Sequence, residues 1–180
     1  MTRLVRVPVK WLTSEAARDV GQVIRSLDEI RPVVRRGRMV VERIEVTRRD
    51  DKLHFENHAV GDGGPVATIA GGCALVSHVN FHSDASQAFI GKRREATVFL
   101  VAPPAARPRP EDFVAFYSDG SVGLCMSPDV WHTTPLPVLG SQEYENTQGA
   151  EYHTSTTDYD FARDDLLLEV PLREPASGAG

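Results

Sequence analysis

The sequence predicts an all-β protein, a barrel or sandwich of short strands with one short N-terminal helix. Three observations lead to this class. Short apolar segments follow one another between Gly- and Pro-containing turns. A single segment, near the N-terminus, has apolar residues at helical spacing. Strand and helix patterns do not alternate and no unit repeats at a fixed period, so neither a βαβ fold nor a solenoid is predicted.

Length and composition narrow the class of protein further. We predict a single barrel domain over residues 1–172 and a flexible C-terminal tail over residues 173–180. The net charge is −5, which argues against a nucleic acid partner. No apolar run approaches the ~20 residues that span a bilayer, so no membrane partner is predicted. Because no leader peptide is recognisable and the two cysteines have no metal-site spacing, we expect a cytoplasmic protein with reduced thiols.

The first elements follow from alternation and then from helical spacing. Val5–Trp11 alternates as a strand does, and Pro8 places this strand at a sheet edge. A helix follows, capped by Thr13 or Ser14, and it ends before Pro32. Its apolar stripe consists of Ala16, Val20, Val23, Ile24 and Leu27.

The rest of the chain reads as strands separated by turns. Gly61–Pro65 and Ser118–Ser121 are predicted turns, and Pro103–Pro110 is a predicted exposed loop. The predicted strands are Met39–Val46, Lys52–His58, Val66–Ala70, Cys73–His82, Thr97–Ala102, Phe113–Tyr117, Val122–Met126 and Leu166–Leu172. The polar segment Gln142–Thr157 shows no pattern that we could assign.

Candidate functional side chains concentrate in the segment His78–Glu95. Asn80 and His82 are two residues apart on a predicted strand, so their side chains point to the same face. Gln87 follows at the start of an apolar run, and His132 lies next to another turn. An imidazole titrates near neutral pH and serves as an acid, a base or a metal ligand. The sequence predicts a polar barrel mouth, with His82 and His132 as candidate catalytic residues and Asn80 and Gln87 as candidates for substrate binding. Surface or core positions for the histidines are the alternative.

Three further residues are candidates for substrate binding. Lys92 and Arg93 form a basic turn that can hold a carboxylate through charge-assisted hydrogen bonds, although a solvated hairpin turn explains them as well. Trp131, beside His132, can form a wall of the pocket or pack in the core.

The same side chains raise the question of a metal. The nitrogen and oxygen donors of His82, Gln87 and His132 suit a divalent transition metal such as nickel, zinc or iron. Glutamine is a neutral and weak ligand, so a site without any metal is the alternative.

At these residues the sequence resembles the ureidoglycolate lyase family, a cupin-like group. Leu12–Ile24 is similar to the opening segment of the family. His82–Ile90 has a His, four residues and then Gln-Ala-Phe-Ile, as the family does. Ala115–Gly123 and Asp129–His132 are similar to its Ala-Phe, turn, Gly and Val-Trp-His sequence. Together these motifs cover the N-terminal segment and the central barrel.

The resemblance implies a cupin-like double-stranded β-helix barrel, a homodimer, and cleavage of ureidoglycolate to glyoxylate and urea. In this reaction His82 or His132 takes the hydroxyl proton, Arg93 or Lys92 holds the carboxylate, and Gln87 orients the carbonyl. Cupin-type metal sites have a His and a Glu where this chain has Asn80 and Gln87.

Two alternatives remain open because the chain departs from the family pattern. Ser127 stands where the family often has a His, the turn Gly91–Arg94 replaces Pro-Met-Lys-Gly, and Thr133-Thr134 replaces His-Pro. The first alternative is another cupin enzyme, a metal-dependent lyase, isomerase or oxygenase acting on a small carboxylic acid. The second is a non-catalytic module that binds a small ligand.

Overall fold

A computed structural model describes residues 1–176, which fold into short strands and two α-helices of a single turn each. The strands are β1 (Arg3–Arg6), β2 (Val9–Trp11), β3 (Gly21–Ile24), β4 (Met39–Arg49), β5 (Lys52–Asn57), β6 (Gly61–Ala70), β7 (Cys73–Val76), β8 (His78–His82), β9 (Gln87–Gly91), β10 (Thr97–Ala102), β11 (Val114–Ser118), β12 (Gly123–Met126), β13 (Trp131–His132), β14 (Leu136–Pro137), β15 (Gln142–Gly149), β16 (Thr156–Asp160) and β17 (Leu166–Pro171). The helices are α1 (Ser14–Ala17) and α2 (Tyr152–Ser155). The predicted all-β class is confirmed.

Two sheets form the barrel. The first has ten strands in the order β1-β17-β7-β6-β5-β4-β15-β9-β12-β3. The second has seven strands in the order β16-β8-β13-β10-β11-β2, with β14 paired to β10. One buried cluster contains side chains from both sheets, among them Tyr144 of β15 and Phe116 of β11. This architecture agrees with the predicted cupin-like barrel.

Proline and burial explain where prediction succeeds. The predicted first strand is divided at Pro8 into β1 and β2, which are edge strands of the two sheets. The predicted strand Thr97–Ala102 is β10, with all six residues buried. It pairs with β11 on one side and with β13 and β14 on the other.

The predicted helix is wrong beyond Ala17. Thr13 caps α1, since its hydroxyl accepts the backbone N–H of Ala16 at 3.2 Å. Gly21–Ile24 then forms β3, which pairs antiparallel with β12. A Cβ on Gly21 would collide with the backbone carbonyl of Cys125, so the glycine permits this close approach. The apolar spacing that predicted a helix instead buries side chains of a turn and a strand.

Two other expectations also need correction, and the structure assigns one segment that the sequence left open. The predicted strand Cys73–His82 breaks at Ser77 into β7 and β8, which belong to different sheets. The predicted turn Gly61–Pro65 is the first half of β6, and two register shifts against β5 accommodate it. The unassigned segment Gln142–Thr157 contains β15 and α2 and reaches into β16.

The boundaries of the predicted domain and of its C-terminal tail remain predictions. Residues 177–180 of the predicted tail lie outside the described residues, and the single domain over 1–172 remains a prediction. Among residues 1–176, no helix has both the length and the apolar character needed to cross a membrane.

Candidate active site

A cavity of about 280 Å³ lies between the two sheets. Ile44, Phe55 and Phe89 contribute apolar side chains to its wall. Its polar lining consists of Asn57, His78, Asn80, His82, Gln87, His132, Thr134, Asn146, Gln148 and Tyr152. Four of the residues predicted from sequence, Asn80, His82, Gln87 and His132, therefore converge on one cavity.

Strand geometry brings these side chains together. Asn80 and His82 alternate along β8 and both line the cavity, as their spacing predicted. His132 of β13 is paired directly with Asn80. Gln87 begins β9, which pairs with both β12 and β15. The two imidazole rings lie with their centroids 5.4 Å apart.

The hydrogen bonds of His82 fix the position of its ring proton. Its Nδ1 lies 2.7 Å from the Thr156 hydroxyl oxygen. That hydroxyl donates to the backbone carbonyl of Tyr152 at 2.6 Å, because a carbonyl only accepts. The Thr156 oxygen must therefore accept a proton from Nδ1. The neutral ring then carries an unprotonated Nε2.

Burial keeps this ring neutral. Desolvation lowers the pKa of His82 below its ordinary value of 6.5. The carboxylates of Asp84 and Asp158 and the side chain of Gln87 oppose this effect, and His153 adds to it. At neutral pH the Nε2 lone pair is thus available as a base.

His132 is buried more deeply and is engaged at both nitrogens. Its Nδ1 lies 2.9 Å from the Val130 carbonyl oxygen, and its Nε2 lies 2.8 Å from Oε1 of Gln87. Desolvation, and secondly the neighbouring His82, lowers the pKa of His132 to about 3. The neutral ring carries one proton, and an oxygen atom that can accept it faces each of the two ring nitrogens.

Amide side chains continue the network from Gln87. Its Nε2 donates to Oδ1 of Asn146 and to Oε1 of Gln148, each at 3.0 Å. The Gln148 amide in turn donates to Glu42 at 2.8 Å. The amide of Asn80, the NH₂ group of Asn146 and the hydroxyl of Thr134 have no hydrogen-bond partner within residues 1–176, so they are available to a ligand.

The structure does not bring the predicted cations to the cavity. Lys92 lies beyond the end of β9 opposite to Gln87, and five residues of strand correspond to about 16 Å. Its Nζ pairs with Oε1 of Glu143 at 2.8 Å. Arg93 is exposed on the same turn. No Lys or Arg is among the described residues that line the cavity.

Trp131 is also outside the cavity lining. Its side chain is 1% exposed and packs edge-on against Phe81 with ring centroids 4.7 Å apart. Its Nε1 donates to the carbonyl of Ala105 at 2.9 Å. Of the two roles open to Trp131, the structure shows core packing.

Several cavity residues had no counterpart in the sequence prediction. Asn146, Gln148 and Tyr152 lie in the unassigned polar segment, and Asn57 lies at the end of β5. One signal was present: in β15 the side chains of Gln142, Tyr144, Asn146 and Gln148 alternate at period two. The alternation of inward amides could have identified this strand.

The donor set fits a metal ion poorly. Within residues 1–176 no group of three or more His, Cys, Asp or Glu side chains is arranged to hold one. A metal on His82, Gln87 and His132 would have to displace the hydrogen bond between His132 and Gln87. The metal site therefore stays a prediction.

The fold is that of a cupin-like barrel, and its cavity, lined by imidazoles and amides, is a candidate site for a small ligand. The sequence model named Ureidoglycolate lyase matches residues 4–160. The chain therefore belongs to the ureidoglycolate lyase family, and the predicted resemblance is confirmed.

A curated relative supports the same family. The chain is 31% identical over 87 residues to a protein named Ureidoglycolate lyase from Azotobacter vinelandii (strain DJ / ATCC BAA-1303). The match covers 48% of this chain and 52% of the relative, so it spans about half the length of that protein.

Proposed function

We propose that this protein is a lyase that cleaves ureidoglycolate to glyoxylate and urea. Membership of the family and the name of the curated relative support this substrate. The observation that carries the chemistry is the imidazole of His82, a residue of the cavity lining, whose Nδ1–H is held by Thr156, which leaves the lone pair on Nε2.

The reaction needs one proton to move between two atoms of the substrate. Ureidoglycolate carries its hydroxyl group, its ureido nitrogen and its carboxylate on the same carbon. Nε2 of His82 removes the hydroxyl proton, the carbonyl of glyoxylate forms, and the carbon–nitrogen bond breaks with its electron pair on nitrogen. The imidazolium then returns the proton to that nitrogen, which leaves as urea. A positioned acid–base group of this kind contributes on the order of 10²–10⁴ in rate.

His132 takes a supporting part in this proposal. Both of its nitrogens face oxygen atoms of the protein, and its pKa of about 3 makes it a poor base near neutral pH. It holds the amide of Gln87, which lies beside both imidazoles. The base is therefore His82, and His132 is a positioning residue.

Neutral donors bind the substrate in this proposal. The amides of Asn80 and Asn146 and the hydroxyl of Thr134 are available in the cavity to the carboxylate and the ureido group. Since the lining has no described Lys or Arg, recognition depends on hydrogen bonds and not on an ion pair. In this proposal these three residues bind the carboxylate, in place of Lys92 and Arg93, which the sequence predicted for that contact.

Turnover of ureidoglycolate by the purified chain tests this proposal. Glyoxylate should form well above the uncatalysed rate, and His82→Asn should lower kcat by about 100-fold or more, since it removes the base. His54→Asn, on β5 and outside the cavity lining, is the matched control and should retain activity. Full activity of His82→Asn would overturn the assignment of the base. The cytoplasmic location and the homodimer are part of the same proposal, and sedimentation tests the latter.

A further inference from the structure

A chain of side chains leads from a carboxylate on β4 to the imidazole of His132. Oε2 of Glu42 accepts from Gln148 at 2.8 Å, and Oε1 of Gln148 accepts from Gln87 at 3.0 Å. Oε1 of Gln87 meets Nε2 of His132 at 2.8 Å. Glu42 itself is not among the residues that line the cavity. Gln148 and Gln87 connect it to the residues of the cavity.

The hydrogen bonds of Glu42 fix the orientation of the amides in this chain of side chains. Oε2 of Glu42 also accepts from Nδ2 of Asn57 at 2.7 Å. The other end of the Asn57 amide, Oδ1, accepts the backbone N–H of Ala59 at 2.8 Å, and a backbone N–H only donates. An ionised carboxylate only accepts, so Gln148 must turn its NH₂ group toward Glu42 and its oxygen toward Gln87.

Two oxygens compete for the ring proton of His132. The Val130 carbonyl at 2.9 Å attracts it to Nδ1, and Oε1 of Gln87 attracts it to Nε2. The position of the ring proton depends on the orientation of the Gln87 amide, because turning that amide would present its NH₂ group to Nε2 of His132. Asn146 permits such a turn, since its own NH₂ group has no partner among residues 1–176. Gln148 does not permit the turn of the Gln87 amide. Because Glu42 holds the NH₂ group of Gln148, the oxygen of a turned Gln87 would face the oxygen of Gln148.

We propose that Glu42, acting through Gln148, fixes the Gln87 amide with its oxygen toward the two imidazoles and thereby keeps the ring proton of His132 on Nε2. The bond from Gln148 to a carboxylate is charge-assisted, and such bonds are about twice as strong as neutral ones. The bond from Gln148 to Glu42 therefore outweighs the neutral hydrogen bond that the Val130 carbonyl would accept from a protonated Nδ1 of His132. Glu42 and Gln148 are positioning residues of the site.

The consequence for the reaction rests on the proposed function. When Nε2 of His82 takes the substrate's proton, the ring becomes positively charged. The side chain of Gln87 favours that protonated form, since it acts to raise the pKa of His82. A turned Gln87 would present NH₂ hydrogens to the imidazolium and disfavour it.

The test compares variants that keep or remove the acceptor at position 42. Nitrogen-15 chemical shifts of the ring distinguish protonated from unprotonated nitrogens. The wild-type protein should show a protonated Nε2 at His132. Glu42→Met removes the acceptor, and the proton should move to Nδ1. Glu42→Gln keeps an oxygen that can accept from Asn57 and Gln148 but loses the charge, so the fraction of His132 rings protonated at Nε2 should lie between those of the wild type and Glu42→Met.

Matched variants separate this effect from general damage. Glu45→Met, on the same strand and facing away from the cavity lining, should leave the ring proton in place. Gln148→Met removes the next hydrogen-bonding side chain after Glu42 and should also move the ring proton to Nδ1. It provides a second test if Glu42→Met does not fold.

Kinetics gives an independent measurement. Glu42→Met should lower kcat by about 10- to 100-fold, the effect of losing a hydrogen bond to a charged group, and KM should change little. An unprotonated Nε2 in the wild type, or a protonated Nε2 in both Glu42→Met and Gln148→Met, would refute the proposal. If the wild type does not turn over ureidoglycolate, the proposed function fails, while the ring-proton measurement still tests the chain from Glu42.

Discussion

Replacing Thr156 by valine should disable His82 without removing it. The two side chains are nearly isosteric, and Thr156 is paired directly with His82 across β16 and β8. The change deletes the acceptor that lies 2.7 Å from Nδ1. Because His82 is only 9% exposed, its N–H would then lack a partner, or the proton would move to Nε2 and occupy the lone pair that acts as the base.

The magnitude follows from the type of hydrogen bond that is lost. A hydrogen bond to a group that becomes charged contributes about 1.5–3 kcal/mol, which corresponds to a decrease in kcat of about 10- to 100-fold. Thr156→Ser keeps the hydroxyl, including its bond to the Tyr152 carbonyl, and should restore most of the activity. Thr157→Val, the next residue on β16 and exposed, is the control. Wild-type kcat in Thr156→Val would refute the role of the ring proton.

Three further predictions concern pH, charge and metal. Burial lowers the pKa of His132 from 6.5 to about 3, so between these values the unfolded chain binds a proton at this residue that the folded chain does not. His132 should therefore lower the free energy of unfolding by about 1.4 kcal/mol for each unit by which the pH is lowered from 6.5 toward 3, as measured by urea denaturation; a flat profile would contradict the buried neutral ring. Lys92→Met and Arg93→Met should each leave KM within about twofold, since neither lines the cavity; a tenfold rise in either would restore the ion-pair hypothesis. Removing metal with a chelator should leave kcat unchanged, because acid–base chemistry at His82 needs no metal; loss of activity that iron, nickel or zinc restores would reinstate the metal site.

Local patterns predicted the parts of the fold in which local and tertiary preferences agree. Thr97–Ala102 is apolar, rich in strand-forming residues and buried on both faces, so its strand was recognisable. The segment after Ala17 failed because Val20 and Ile24 are also compatible with helical spacing. The pairing of β3 with β12, about a hundred residues away along the chain, decides its conformation. Such a pairing leaves no local signal.

The site was predictable where two functional residues share one strand. Asn80 and His82 were placed on one face by a spacing of two, and the structure confirms this geometry. The position of Lys92 away from the cavity was not predictable, since neighbours in sequence can lie at opposite ends of a strand. Glu42 is separated from Gln148 by more than a hundred residues, and its contact arises only when β4 pairs with β15.

The products formed from ureidoglycolate test the central claim most directly. Breaking the carbon–nitrogen bond with His82 as the base should yield glyoxylate and intact urea in equal amounts, at a rate that falls as the pH drops through the pKa of His82, below 6.5. In His82→Asn both products should decrease together. Release of ammonia in place of urea, or equal turnover by the wild type and His82→Asn, would contradict the account.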